Sequence, residues 1–389
     1  MDISRHSLIF GLSYALDIAG KNNLSHSKSV AYLTVKLARE MRMSEDESLA
    51  VYYAALLHDI GIGDEYILGI RYDTDIKKHC IIGEQILKKI PLPDEIPTMV
   101  LYHHEYYNGH GPFGLSGDTI PKGSQIICFA SAFDDLFCKA AYFDKNLYLD
   151  ICNWAEKNKP LFSEEIIDAF RRIIKREYVL FDYFNHETKY TLSDKIIVGD
   201  TVRYDYEDVK KIALCFADII DQRSPFTYYH STGIADLAKK AAGHLGYGDE
   251  VQEKMYIAGL LHDIGKLHVP ADILHKNGKL EPDERFEINK HAYYTRKILE
   301  QVQGFDEIVE LASNHHEKLD GTGYPYGKGA VHLSELERVM AICDVYQALT
   351  EDRPYRPKLP QEQVWGMIFQ MAENMHLDMQ LALKIKQAV

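Results

Sequence analysis

The sequence predicts an all-α protein, two tandem helical bundles arising from an internal duplication. Three observations predict it. Apolar residues recur at three- and four-residue intervals through most segments. Strand-like alternation is confined to pieces near Ile196 to Tyr206, and a spaced set of histidines is written twice in the same order.

A chain of 389 residues is too long for one ordinary core and suits two domains. With 46% hydrophobic and 26% charged residues it reads as a soluble globular protein. Met1 to Phe10 carries Asp2, Arg5 and His6 and lacks the apolar core of a signal peptide. The most hydrophobic stretch, Gln125 to Phe143, is interrupted by Asp134 and Asp135, so no membrane span is expected. The six cysteines (Cys80, Cys128, Cys138, Cys152, Cys215, Cys343) form no CxxC pair. They read as reduced thiols of a cytoplasmic protein, not a disulfide frame or a zinc-thiolate site. A formal charge of −14 argues against long nucleic acid as a partner. A small anion still fits if metals and a few basic residues reverse the potential locally.

In the first half, Val30, Leu33, Leu37 and Met41 line one helical face; before the second histidine set, Val209, Ile212, Ala213, Phe216, Ile219 and Ile220 do the same. The expected organisation is a first bundle over 1–145, a mostly helical connector over 146–200, and a second bundle over 201–389. Within the connector, Ser163 to Lys175 reads as a helix, with Ser163 as N-cap and Glu164 and Glu165 in its first turn.

The duplication is read from the histidines. The second half runs His230, His262-Asp263, His291, His315-His316-Glu317; the first runs His26, His58-Asp59, His79, His103-His104-Glu105. The first His and the His-Asp pair are 32 residues apart in both halves, and the lone His and the His-His pair 24 apart in both. Only the segment between differs, by eight residues. Flanking residues agree: Ala54-Ala55-Leu56-Leu57 before His58 mirrors Ala258-Gly259-Leu260-Leu261 before His262.

A lone buried histidine is usually a satisfied core residue, but adjacent pairs are different. His262-Asp263 follows the apolar run Ile257 to Leu261, and burying both side chains without partners costs several kcal/mol. A divalent cation satisfies both, and imidazole with carboxylate but no thiolate favours iron, manganese or zinc over softer metals.

His262-Asp263-Ile264-Gly265-Lys266, with His315-His316-Glu317-Lys318-Leu319-Asp320-Gly321-Thr322-Gly323-Tyr324-Pro325, resembles the two signatures of the HD-GYP phosphodiesterases, a branch of the HD hydrolase superfamily. The likeness spans about residues 207–360 and extends to Gly278-Lys279-Leu280, Lys290-His291, Arg338, Asp344 and Arg353-Pro354-Tyr355. It implies two HD-type bundles and a centre of two divalent metal ions, iron or manganese foremost. One ion would be held by His230, His262, Asp263 and Asp344, the other by Asp263 as a bridge with His291, His315 and His316. Two such metals share a hydroxide formed at neutral pH and clamp the attacked phosphate. Lys266 would pair with a phosphate oxygen. Gly323, Tyr324 and Pro325 would shape the substrate pocket, although a simple Gly-Pro turn explains them equally; Arg353 would face the nucleotide or cap a helix. The implied reaction is hydrolysis of a cyclic dinucleotide, cyclic di-GMP or 3′,3′-cyclic GMP-AMP, to a linear dinucleotide. A homodimer is compatible with it.

Two departures bear on this. Members with a third metal carry Glu four residues before the first His, where this chain has Phe226, so two metals are expected. Arg often stands three residues after that His; here it is Gly233, which leaves substrate preference open.

The first copy is eroded. Ile62 replaces Lys266, Gly111-Pro112-Phe113 replaces Gly323-Tyr324-Pro325, and Ser131 replaces Asp344. One ligand set retains only His26, His58 and Asp59; the other, Asp59, His79, His103 and His104, is complete. Two readings stand: a residual metal site without hydrolysis, or a metal-free relic with histidines hydrogen-bonded in the core. Asp134 and Asp135 lie three and four positions past Ser131 and are not expected to replace the lost ligand. The function expected is a catalytic second copy with a scaffolding or regulatory first copy. A non-hydrolytic sensor would predict ligand losses in both halves, and a phosphohydrolase acting on a linear nucleotide differs only in substrate.

Overall fold

A computed structural model describes residues 1–19, 25–61, 73–140, 143–185, 200–223, 230–276, 278–351 and 358–389. It is helical throughout; among the described residues the only sheet is β1 (Ile3–Ser4) paired antiparallel with β2 (Arg203–Tyr204). Among the described residues, no helix is long and apolar enough to cross a membrane. None of the six cysteines forms a disulfide.

The chain divides into two compact units, Leu16–Val202 and Met1–Ala15 with Arg203–Val389. This differs from a division at 145 and 200 in two ways. The N-terminal residues belong with the second half, because Ile3 pairs with Tyr204 and both are buried, and Ser7 Oγ accepts the Gln303 amide at 2.6 Å. The segment expected as a connector belongs with the first half, where its aromatic residues fill the core. The boundary cuts α1 (Arg5–Ala19).

In the first unit α2 (His26–Glu40) packs on α3 (Glu45–Leu56), and its Val30, Leu33 and Leu37 are buried; Met41, at the end of that stripe, is half-buried. Ser44 starts α3 with a reciprocal cap: its Oγ accepts the Glu47 amide at 3.2 Å, and the Glu47 carboxylate accepts the Ser44 amide at 2.8 Å. Then follow α4 (Asp73–Leu87), α5 (Glu95–Leu101), α6 (Lys122–Phe137), α7 (Lys145–Lys157), α8 (Glu164–Ile174) and α9 (Tyr178–Phe184). Ser163 caps α8, its Oγ accepting the Ile166 amide at 3.4 Å. Phe129 and Phe133 of α6 meet Trp154, Phe162 and Phe170 at ring separations of 4.9–5.7 Å, and this aromatic packing holds the former connector to the bundle.

The second unit repeats the plan with α10 (Tyr206–Arg223), α11 (His230–His244), α12 (Asp249–Leu261), α13 (Ala271–Leu274), α14 (Pro282–Leu299), α15 (Asp306–Ser313), α16 (Glu335–Thr350), α17 (Gln361–Glu373) and α18 (Met379–Ala388). The whole apolar face of α10 named above is buried. Gly259 brings α12 close to α11: a Cβ there would lie 2.6 Å from Ala235 Cα.

Candidate metal centre

In the second unit, α12 is apolar to its end at Leu261, so His262 and Asp263 emerge inside the core. The chain then tightens into the short 3-10 segment Ile264–His268. Gly265 permits it: a Cβ there would stand 1.9 Å from the His291 carbonyl oxygen of α14. Thr295 fastens the same junction, its hydroxyl accepting the Gly265 amide at 3.0 Å and donating to the His262 carbonyl at 2.8 Å.

One backbone device orients three histidines. His262, His291 and His315 direct Nδ1 at the carbonyl three residues earlier, Gly259 at 2.8 Å, Ile288 at 2.7 Å and Ala312 at 2.7 Å. A carbonyl only accepts, so each Nδ1 carries the proton and each Nε2 faces inward. Asp263 is the meeting point. His262 Nε2 lies 3.1 Å and His230 Nε2 3.9 Å from its Oδ2; His291 and His315 Nε2 lie 3.4 and 4.0 Å from its Oδ1. Asp344, buried on α16, stands 3.7 Å from both His230 Nε2 and His316 Nδ1. Every metal-ligand candidate read from the second half is thus in one cluster.

That cluster fits divalent cations. The His291 and His315 Nε2 atoms are 3.2 Å apart. With both Nδ1 protons given to carbonyls, two lone pairs face each other in the neutral rings, a conflict that a cation removes. Burial, together with the His316 charge at His315, pushes the His291 and His315 imidazoles down, His291 to about 3, so they are neutral. Burial alone would raise the Asp263 carboxyl. The charges of His262 and Lys266 and a hydrogen bond with His262 outweigh it and hold Asp263 well below the usual carboxylate range. Neutral His291 and His315 beside the ionised Asp263 carboxylate are the ligating forms.

The cluster opens on one side. Asp263 and His230 are nearly sealed, whereas the His316 side chain is 30% exposed and Lys266 21%. Lys266 Nζ rests 2.5 Å from Asp263 Oδ2. The Tyr324 ring lies 4.8 Å from His316, and Glu317 holds the loop bearing Gly323, Tyr324 and Pro325. Buried Glu317 accepts the amides of Tyr326 at 2.7 Å and Lys328 at 2.8 Å, and a Cβ on Gly323 would meet Glu317 Cα at 2.5 Å. Arg353 lies outside the described residues.

Several contributors lack any sequence signal of their own. Glu351 accepts from His230 Nδ1 at 2.9 Å, and Gln347 donates to Glu351 at 2.7 Å in the space over Gly233. Asp221 receives the Ser231 hydroxyl at 2.8 Å at the start of α11.

The first unit repeats this frame. His58 and His103 direct Nδ1 at the Ala55 and Val100 carbonyls at 2.8 and 2.5 Å. Asp59 lies 3.5 Å from both His58 and His79 Nε2 and 3.8 Å from His26 Nε2. A Cβ on Gly61 would lie 2.2 Å from the His79 carbonyl oxygen. Glu105 accepts the Phe113 and Leu115 amides, both at 2.6 Å, and Asp17 accepts the Ser27 amide at 2.8 Å. Asp134 bonds the outer nitrogen, Nδ1, of His26 at 2.7 Å and accepts the Tyr183 hydroxyl, so it plays the part of Glu351 rather than that of Asp344. Burial would lower His26; Asp134 outweighs it and raises His26 to about 10.

The sequence profile of the HD domain matches residues 16–149 and 215–381. Over 396 residues the chain is 30% identical to the 3′3′-cGAMP-specific phosphodiesterase 1 of Vibrio cholerae, covering 98% of this chain and 90% of that one. It is 39% identical over 166 residues to the cyclic di-GMP phosphodiesterase PA4108 of Pseudomonas aeruginosa, covering 42% of this chain and 39% of that one. The fold matches the crystal structure of the V. cholerae cyclic GMP-AMP specific phosphodiesterase V-cGAP3 with a TM-score of 0.74 at 20% identity, covering 100% of this chain and 98% of that chain. Its two histidine clusters lie within the two stretches matched by the HD profile, and the chain belongs to the HD domain family, in the HD-GYP phosphodiesterase branch.

Proposed function

We propose that the second unit is a metal-dependent phosphodiesterase that hydrolyses a cyclic dinucleotide to its linear form. The observation that carries this is the convergence of four imidazoles on Asp263, with His316 beside Asp344 and Lys266 at the exposed edge of the cluster. His230, His262 and Asp344 with Asp263 would hold one divalent ion, and His291, His315 and His316 with Asp263 the other; iron(II) and manganese(II) suit this donor set. Ions bound there would supply an acidified water and charge stabilisation for the phosphate under attack.

The chain's own groups do the rest. Asp263 presents one oxygen toward His262 and His230 and the other toward His291 and His315, which sets the spacing of the two ligand sets. Lys266 can swing from Asp263 to a phosphate oxygen as negative charge builds there. Tyr324 and its loop wall the open side beside His316 and orient the dinucleotide. Glu351 keeps His230 Nε2 aimed inward by holding Nδ1. Likeness along nearly the whole chain to a 3′3′-cGAMP-specific enzyme makes 3′,3′-cyclic GMP-AMP the first substrate, and cyclic di-GMP, the substrate named for a relative that matches 42% of the chain, its competitor.

The test is product analysis by liquid chromatography after incubating iron(II)- or manganese(II)-loaded protein with each cyclic dinucleotide and with linear pGpG. Cleavage of a cyclic substrate, lost in Asp263→Ala, supports the reading. No cleavage with metal confirmed in the second unit overturns it, and cleavage of pGpG alone moves the substrate to linear nucleotides.

A further inference from the structure

The first unit keeps a ligand set that hydrolysis in the second unit does not use. We infer that Asp59, His79, His103 and His104 hold a single structural zinc ion in the first unit, distinct in kind and role from the centre in the second.

The four side chains tie three chain segments together. Asp59 follows α3, His79 lies in α4, and His103 and His104 follow α5. His79 and His103 are buried, their Nε2 atoms 3.4 Å apart, and His79 Nε2 is 3.5 Å from the Asp59 carboxylate. One ligand atom from each of His79, His103 and His104 lies within 4.8 Å of the others, in a group that also takes in Cys80, and Asp59 joins it through His79. Cys80 Sγ, however, sits 3.9 Å from His103 Nδ1, the outer nitrogen that bonds Val100, and so lies behind the ring.

Counting ligands decides nuclearity. Three imidazoles and a carboxylate close a four-coordinate shell, the arrangement of structural zinc sites, which leave no position open for water or substrate. The other half of the cluster has two imidazoles and must share Asp59. Ser131 aligns with Asp344, and Asp134 is committed to the outer nitrogen of His26 and to the Tyr183 hydroxyl. It lacks the carboxylate that a second ion requires, and Ile62 aligns with Lys266, so the site also lacks the phosphate-pairing cation. Zinc, which favours four nitrogen and oxygen donors in a tetrahedron, fits this shell better than six-coordinate metals do.

The experiment uses full-length Asp263→Ala and Asp263→Ala/His79→Ala proteins, stripped with a chelator, reloaded with zinc(II), desalted and measured by mass spectrometry for metal and by thermal unfolding. Adding His79→Ala is expected to remove about one equivalent of zinc per chain and to abolish the zinc-induced rise in melting temperature. Equal zinc content in the two proteins overturns the site. So does a folded Asp263→Ala protein that takes up none. If the double variant loses its helical circular dichroism, zinc-edge diffraction from wild-type crystals replaces it: an anomalous peak among the four side chains sustains the site, and its absence overturns it. No readout is hydrolysis, so failure here is distinguishable from failure of the phosphodiesterase reading.

Discussion

Glu317 gives the most discriminating perturbation, because the first unit contains its control. The carboxylate is buried, and both oxygens accept backbone amides of the loop that carries Tyr324, at 2.7 and 2.8 Å. In Glu317→Gln one oxygen becomes an NH2 group facing an N–H, so one charge-assisted bond is lost and one amide is left unpaired. Such a loss costs about 2 kcal/mol. In a unit of this size that is about 4–8 °C in melting temperature. Glu105 makes the same pair of bonds at 2.6 Å, so Glu105→Gln should destabilise the first unit by a similar amount. Only the Glu317 variant should change catalysis, since only its loop places a tyrosine 4.8 Å from a proposed ligand, His316. Steady-state turnover of the cyclic dinucleotide, run beside calorimetry, separates the two. An unchanged kcat and KM in Glu317→Gln, or equal kinetic damage in Glu105→Gln, would refute the idea that this carboxylate shapes the substrate side of the site.

Glu351→Gln removes the charge that orients His230, and its metal affinity, measured by chelator competition, should fall about 10–100-fold with the fold intact. Gly265→Ala forces a Cβ into the His291 carbonyl oxygen, so the protein should lose metal and several °C of stability, read by metal analysis and thermal unfolding; Ala tolerated at wild-type metal content contradicts the close approach. Glu310 is held at about 2 by hydrogen bonds from Arg296, Lys328 and Asn314, which outweigh partial burial. A depressed carboxyl stabilises above its unfolded value and loses that contribution as pH falls through its folded one. Melting temperature should therefore drop between about pH 4.5 and 2, and Arg296→Gln should flatten that drop.

The sequence displays the ligands themselves because they come in doublets at repeated spacings, and the helices because their apolar stripes are long. The partners of those ligands are hidden. Glu351 reaches His230 from 121 residues away and Asp134 reaches His26 from 108, and the two stand at no shared spacing from their histidines that would raise them above the chain's other acidic residues. The unit boundary is hidden for a related reason. Strand-like alternation marks the stretch that holds Tyr204, but its partner, the two-residue strand Ile3–Ser4, carries no periodicity, so the pairing that places the N-terminus in the second unit leaves no pattern at that end. Residues 146–200 read as a connector from their place between the two histidine sets, yet Phe162 and Phe170 are buried in the first unit's core.

Comparing the copies within one chain separates what the fold needs from what the reaction needs. Both keep the glycine after the His-Asp pair, where a Cβ would strike a carbonyl oxygen at 2.2 Å in one and 1.9 Å in the other. Both keep the aspartate that receives the amide at the start of the helix bearing the first histidine, Asp17 and Asp221. Both keep the glutamate that pins the following loop. These residues make contacts that remain whatever the cluster binds. The side chains of Lys266, Asp344 and Tyr324 make none of those contacts; their counterparts, Ile62, Ser131 and the Pro112-Phe113 pair, are where the copies diverge. At these three places the copies differ where a phosphate, a second ion or a nucleotide would touch. That is the pattern expected if the first unit was relieved of hydrolysis while still required to hold its shape, and it explains how its four-ligand half stays intact while the half that would complete a two-ion centre does not.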